Sequence, residues 1–175
     1  EGSNQGVWDW HVQENSVYFS PHWKAMLGFA DHEISGHLDD WSSRVHPDDL
    51  PTAMADVERH FRGETAFYES EHRLKTRNDD YLWTLARGVI VERDDQGQPV
   101  RMIGTQTDIS EYRALLDKLR QSEHLTRAIM DSLTSSIVVL DEQGVVINTN
   151  RSWQLLLEDS SFDSWIKIPL GANYL

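Results

Sequence analysis

Neighbouring carboxylates are the first candidates for chemistry in this chain, because two acids held together can act as a general acid and a general base. Each pair stands at a predicted turn or helix start, where aspartate bonds local backbone amides. We therefore predict that the pairs serve local structure rather than acid–base catalysis. The pairs are Asp39-Asp40, Asp48-Asp49, Asp79-Asp80 and Asp94-Asp95.

Eight histidines raise the question of a metal centre, since neutral imidazole is a common metal ligand. His32 and His37 share a polar loop with several carboxylates, but a solvated loop is the simpler interpretation, and no metal site is predicted. His124 lies on a predicted helix, and its neighbours do not match a phosphate-accepting histidine motif. We expect it to be an exposed helix residue.

Catalytic motifs with a known mechanism are missing from the sequence. No stretch matches a P-loop, a GxSxG nucleophile elbow, a GxGxxG fingerprint or an HExxH zinc motif. The chain also has no cysteine, which excludes disulfides, thiolate nucleophiles and cysteine-ligated metals. We predict that the chain itself is not an enzyme.

Charge and composition limit the partners further. The net charge of −13 over 175 residues argues against nucleic acid and anionic membrane surfaces, which both require basic patches. No apolar run is long enough to span a bilayer. The chain begins without methionine and is expected to be part of a longer protein. We expect this part to lie in the cytoplasm, whether or not the parent is membrane-anchored.

The first half of the chain predicts a hairpin followed by short helices. Residues 6–12 alternate apolar and polar side chains, and residues 17–20 return after a turn. Ser20-Pro21 is typical of a helix start, and a short helix should follow to about Gly28. His46-Pro47-Asp48-Asp49 is expected to begin a longer helix that Gly63 closes.

The second half predicts three long strands, at residues 66–76, 81–92 and 100–109, separated by two Asp-rich turns. Two strands, a cluster of short helices and a three-stranded meander indicate the α+β class. The expected architecture is a five-stranded antiparallel sheet with short helices on one face.

A polar helix without Gly or Pro is predicted over residues 111–133. Ser110 suits its N-cap, and Asp108 is an alternative cap because it stands three residues before Glu111. Apolar residues follow a 3-4 spacing along one side, with polar or small residues in the middle. This spacing is typical of a weak coiled-coil seam or of an amphipathic helix lying on its own domain. The large members of the stripe are Tyr112, Leu115, Leu119, Ile129 and Leu133.

Several stretches, in this order and spacing over roughly residues 6–112, resemble the PAS sensor family in the form that carries a PAC motif. The pattern departs from the family at Asp79, where a glycine is usual, although aspartate tolerates a positive φ in a turn. The matching stretches are Gly6-Val7-Trp8-Asp9-Trp10, Trp41 to Asp49, Glu71-His72-Arg73-Leu74, Tyr81-Leu82-Trp83, Gly97-Gln98-Pro99-Val100 and Gly104 to Ser110.

This resemblance implies a ligand cavity between the sheet and the short helices. Haem-binding relatives place a histidine near His60, and flavin-binding relatives surround the ring with aromatics such as Trp8, Trp41 and Trp83. The photo-adduct chemistry of some relatives needs a cysteine, which this chain lacks. Haem and flavin are alternatives to the expectation of no cofactor. The residues expected to line the cavity are Trp10, Phe19, Met54, Val57, His60, Phe61, Leu85 and Ile103.

The resemblance also implies a sensory role in signal transduction. A small ligand or a partner would act at the cavity, and Asp108, Ile109 and Ser110 would relay the change to the helix, which is expected to pair two copies of the chain. A downstream output domain, such as a histidine kinase or a cyclic-di-nucleotide enzyme, would read the signal. The alternatives are a structural dimerisation module without ligand and a haem or flavin redox sensor.

A second, partial resemblance begins after the helix. Residues 134–141 and 145–150 predict two strands, and Asn150-Arg151-Ser152-Trp153 and residues 171–175 look like pieces of another PAS domain. Half a sheet exposes an unpaired edge. We therefore expect this part to be poorly packed or completed by another copy. The predicted domains are residues 1–110 (PAS), 111–133 (linker helix) and 134–175 (partial second PAS).

Overall fold

Two structural units make up the chain in the computed structural model, Glu1–Ala114 and Leu115–Leu175. The structure describes residues 5–158 and 168–173. Tyr174 and Leu175, which belong to the second resemblance, lie outside the described residues. The helix predicted after the sheet crosses from the first unit into the second.

The first unit contains the predicted sheet. Its strands are β1 (Gln5–His11), β2 (Ser16–Phe19), β3 (Tyr68–Lys75), β4 (Tyr81–Arg93) and β5 (Pro99–Asp108). They pair antiparallel in the order β2-β1-β5-β4-β3, so the first and last strands of the unit lie side by side at its centre. This confirms the α+β class and the five-stranded antiparallel sheet.

Short helices connect the hairpin to the meander. They are α1 (Pro21–Met26), a 3₁₀ turn (Asp31–Glu33), α2 (Leu38–Ser42) and α3 (Leu50–Phe61). The predicted start of α1 is confirmed, because the Ser20 hydroxyl accepts a hydrogen bond from the amide of Trp23. The predicted start of α3 was placed too early: residues 47–49 form a turn, and the helix begins at Leu50.

Three glycines allow tryptophans to lie against the sheet. A Cβ on Gly104 or Gly88 would overlap the indole of Trp8, and a Cβ on Gly6 would overlap the backbone of Trp23 in α1. The Trp8 ring therefore lies across β4 and β5, and α1 approaches β1 closely. The core between sheet and helices is built on these contacts and is rich in aromatic side chains.

The helix after the sheet, α4 (Ser110–Ser132), begins differently from the prediction. The Ser110 hydroxyl accepts a hydrogen bond from the amide of Trp83 in β4 rather than from the first turn of its own helix. Asp108 instead accepts a bond from the Ser110 amide. In the described part of the chain, neither α4 nor any other helix combines the length and apolarity needed to cross a membrane.

The second unit contains β6 (Val138–Leu140), β7 (Val146–Thr149) and α5 (Arg151–Glu158) after the end of α4. Asn150 is fully buried and organises it. Its side-chain amide donates to the carbonyls of Met130 and Ser135, and its carbonyl accepts from the amides of Ile137 and Trp153. One side chain thus ties the last turn of α4 to the first turn of α5.

Candidate functional site

The candidate site is a cavity between the sheet and the short helices, with a volume of about 50 Å³. Most of its wall is aromatic or aliphatic, and Gln106 is its one amide. The lining residues are Trp8, Trp10, Val17, Phe19, Trp23, Leu38, Trp41, Val57, Tyr68, Ala86, Met102 and Gln106.

Trp10, Phe19 and Val57 are the predicted cavity residues that line it. Met54 and Phe61 pack partly buried against the core without reaching the cavity. They lie in α3 with Val57, but helical spacing identifies a buried side of a helix rather than the few positions that face a cavity.

Leu85 and Ile103 were assigned to the wrong face of the sheet. Ile103 lies in a shallow groove on the outer face, and Leu85 pairs with the exposed Glu71. Side chains alternate along a strand, so the cavity receives Ala86, Met102 and Gln106 instead. The alternation of side chains along β4 and β5 could have identified these three residues. Both faces of the two strands carry apolar residues, however, so the pattern did not show which face lines the cavity.

Haem and flavin do not fit this cavity. Pockets that enclose cofactors or drug-sized ligands have volumes of about 300–1,000 Å³, several times the space present. His60, the candidate haem ligand, is buried but does not line the cavity. Its Nδ1 lies 3.1 Å from the carbonyl oxygen of Thr65, and its Nε2 accepts from the amide of Ile90 at 3.3 Å. Both ring nitrogens are thus engaged by the protein.

A buried polar network connects the cavity wall to the meander. Trp41 and Gln106 both donate to Nε2 of His72, at 3.1 and 3.2 Å. Gln106 also donates to the hydroxyl of Thr84, which donates to the carbonyl of His72. Because Nε2 is the acceptor, the neutral ring carries its proton on Nδ1. Burial lowers the pKa of His72 to about 4.

The end of β5 is bonded to β4 at the point where α4 begins. Thr84 pairs with Asp108, and the amide of Ile109 donates to the carbonyl of Trp83 at 2.9 Å. The Trp83 amide donates to the Ser110 hydroxyl at 3.1 Å. All three predicted relay residues therefore lie at this junction, and both backbone groups of Trp83 bond to it.

Two arginines lie over the indole of Trp83. The Arg113 guanidinium in α4 is 3.8 Å from the ring centroid and also forms an ion pair with Glu71, while that of Arg73 is 5.2 Å away. Arg73 makes two side-chain hydrogen bonds to Asp49 at the start of α3, which lower the pKa of that carboxyl to about 2. Charged and stacked contacts thus join α3, the meander and the first turn of α4.

The acidic pairs and the histidine loop form no further site. Asp94 accepts from the amides of Gln96 and Gln98, and Asp40 accepts from the amides of Gly36 and His37, so these aspartates stabilise turns. Within residues 5–158 and 168–173, no three His, Asp or Glu side chains converge as metal ligands.

The buried His72 predicts a loss of stability in mild acid. Its pKa of about 4 in the folded protein lies below the ordinary 6.5. As the pH falls, His72 therefore binds a proton in the unfolded chain before it does so in the folded one. The stability that is present above pH 6.5 is lost as the pH falls toward 4. We expect this group to lower the free energy of unfolding by about 2 kcal/mol between pH 7 and pH 5.

Urea unfolding at both pH values checks this expectation. His72→Gln should reduce the change in unfolding free energy with pH by that amount, whereas His22→Gln, at an exposed position, should leave it unchanged. A His72→Gln variant with the pH dependence of the wild type would contradict the interpretation.

Comparisons with known proteins identify the family. The family model described as PAS fold matches residues 16–106. A sensory box histidine kinase/response regulator from Burkholderia thailandensis is 31% identical with a TM-score of 0.62, and the match covers 71% of this chain and 92% of that one. The N-terminal domain of a diguanylate cyclase with a PAS/PAC sensor from Marinobacter aquaeolei is 27% identical with a TM-score of 0.55, covering 62% and 98%.

Among curated proteins, Sensor protein FixL of Bradyrhizobium diazoefficiens is 25% identical over 146 residues, which are 83% of this chain and 28% of that protein. The chain spans between 7% and 28% of the length of the curated relatives it matches. It shares with them a domain rather than a whole protein. By the family model and by the structural match at 31% identity, the chain belongs to the PAS fold family.

Proposed function

We propose that this PAS domain is the sensory input of a signal-transduction protein and is not itself a catalyst. Occupation of the cavity by a small ligand shifts the meander, and the junction between β5 and α4 passes the shift to the helix. The observation that carries the proposal is the bonding of Trp83 to both Ile109 and Ser110. A change in β4 cannot leave the first turn of α4 unaffected while these bonds hold.

The path from the cavity to the junction is short. Gln106 lines the cavity and bonds to Thr84, and Thr84 stands next to Trp83 and pairs with Asp108. A ligand that moves the Gln106 amide therefore acts on a hydrogen-bond network that includes Thr84, the neighbour in β4 of the residue that bonds to the helix start. Two states of such a network that differ by a few kcal/mol would suffice for a switch.

The output side of the proposal is a parallel dimer of α4. Tyr112, Leu115, Leu119, Ile129 and Leu133 are all exposed, and apolar residues at coiled-coil spacing gain by pairing with another helix. We place the linker at residues 111–133 and the start of a second PAS domain at 134–175. Exposed Val139, Ile147 and Leu155 in that part support a sheet completed by another copy of the chain.

A histidine kinase or diguanylate cyclase is the proposed output, because relatives of both kinds carry such domains. The domain would then work in the cytoplasm, where these enzymes meet their nucleotides. A structural dimerisation module is the alternative, and the small volume of the cavity is what favours it. The two functions differ in whether the junction controls output.

Asp108→Ala tests the relay in a fusion of the chain to a diguanylate cyclase output domain. The substitution removes the acceptor of the Ser110 amide, so we expect cyclase activity to change by about fivefold or more while the sheet stays folded by circular dichroism. Asp95→Ala, in an exposed turn, is the control. Unchanged cyclase activity in a folded Asp108→Ala protein would contradict the proposed relay and favour the structural dimerisation module.

Leu119→Glu tests the dimer by sedimentation of the isolated chain at micromolar concentration. Carboxylates facing each other in the seam repel, so the wild type should sediment as a dimer and the variant as a monomer. Gln121→Glu is the control, because Gln121 is exposed on the same helix and lies away from the predicted stripe. A monomeric wild type would contradict the dimer, and equal dissociation by both substitutions would contradict its assignment to this stripe.

A further inference from the structure

Two indole groups in the cavity wall have unused hydrogen-bond donors. Trp10 and Trp23 both line the cavity, and each is more than nine-tenths buried. The Nε1 atoms of both are buried and donate to no acceptor within the described part of the chain. Burying an N–H group without a partner is unfavourable, so these donors favour any occupant that accepts from them.

Packing holds both indoles where they are. The Trp23 ring stacks on Phe19 with centroids 4.1 Å apart, and the backbone of Trp23 is pressed against Gly6 of β1. The Trp10 ring packs against Phe61 at 5.5 Å. Neither ring can turn toward a protein acceptor without breaking these contacts, so the donors persist as a feature of the cavity.

The side-chain N–H groups of Trp41 and Gln106 in the wall already have acceptors. Trp41 and Gln106 donate to His72, and Gln106 donates also to Thr84. The lining includes no Asp, Glu, Lys, Arg or His. Burial keeps the pKa of the neighbouring His72 at about 4, so it brings no positive charge near neutral pH. Among the lining residues, the side-chain polar atoms that are buried without a partner are the two indole donors, and no counter-charge lies beside them.

We propose that the cavity selects an uncharged ligand that presents a hydrogen-bond acceptor to Trp10 and Trp23 and is otherwise apolar. An anion would also accept, but burying it without a cation is far more unfavourable than burying a neutral carbonyl. A cavity of about 50 Å³ is a third of the roughly 150 Å³ that holds benzene. The inserted part is therefore a small group such as a ketone. This inference rests on the proposed function of the cavity as a ligand site.

Acetone and acetate are the probes, because they have nearly the same shape but differ in charge. The intact chain, labelled with ¹⁵N in its tryptophans, is titrated with each at constant ionic strength while the seven indole N–H signals are followed by NMR. Acetone should shift the Trp10 and Trp23 signals saturably toward lower field, as expected for a new hydrogen bond. Acetate should shift neither signal.

Variants separate the hydrogen bonds from the shape of the cavity. Trp10→Phe and Trp23→Phe each remove one donor and should weaken acetone binding by about fivefold or more. Trp41→Phe is the matched control, because Trp41 lines the same cavity but its N–H is already bonded to His72. It should change the affinity by less than about twofold. The wild-type titration decides the question even where a variant fails to fold.

Absence of a saturable shift with acetone, or equal shifts with acetate, would overturn the proposed ligand class. That result would leave the sensory function standing, because the Asp108→Ala fusion tests it without any ligand. Conversely, if acetone binds but Asp108→Ala leaves cyclase activity unchanged, the ligand class is established and the proposed relay is contradicted.

Discussion

The bonding of Trp83 to the start of α4 is the constraint on which the account of this domain depends. The backbone of Trp83 donates to Ser110 and accepts from Ile109, and its indole lies beneath the Arg113 guanidinium. A cation over an indole stabilises by about 0.5–2 kcal/mol, depending on desolvation. The first turn of the helix is thus held by a strand that also forms the cavity wall, and the sheet and helix cannot move independently.

The tightness of the core decides what the domain can sense. Tryptophans laid against Gly6, Gly88 and Gly104 fill the space that a large cofactor would need, and about 50 Å³ remains. A small occupant can produce only a small displacement. Close-packed interiors transmit such displacements rather than absorbing them, and the network through Gln106, Thr84 and His72 lies directly along the route to the junction.

Local patterns in the sequence were enough to predict the elements of the first unit. Alternation gave the five strands, and turn chemistry anticipated that Asp79 would adopt a positive φ, which it does at 67°. Ser20-Pro21 identified the start of α1 for the correct physical reason. These features depend on neighbours in the chain, so a single sequence is sufficient to find them.

Features that depend on distant neighbours were harder to predict. Ser110 has the right residue type for an N-cap, but a strand 27 residues earlier in the chain supplies its donor. Leu85 and Ile103 are apolar, but the outer face of the sheet is also partly apolar. Residue type alone therefore could not show on which face these two side chains lie. The size of the cavity depends on how four tryptophans pack, which no local pattern encodes.

Amide hydrogen exchange at the junction shows whether Trp83 holds the first turn of α4. Trp83→Leu keeps the backbone of β4 but removes the indole ring beneath Arg113. Val89→Ala is the control, because Val89 is an exposed residue of the same strand. We expect the amides of Ile109 and Arg113 to exchange about tenfold faster in Trp83→Leu, while β1 and β2 keep their protection. Unchanged exchange at both amides in a folded Trp83→Leu protein would show that Trp83 does not hold the helix, and would contradict the account.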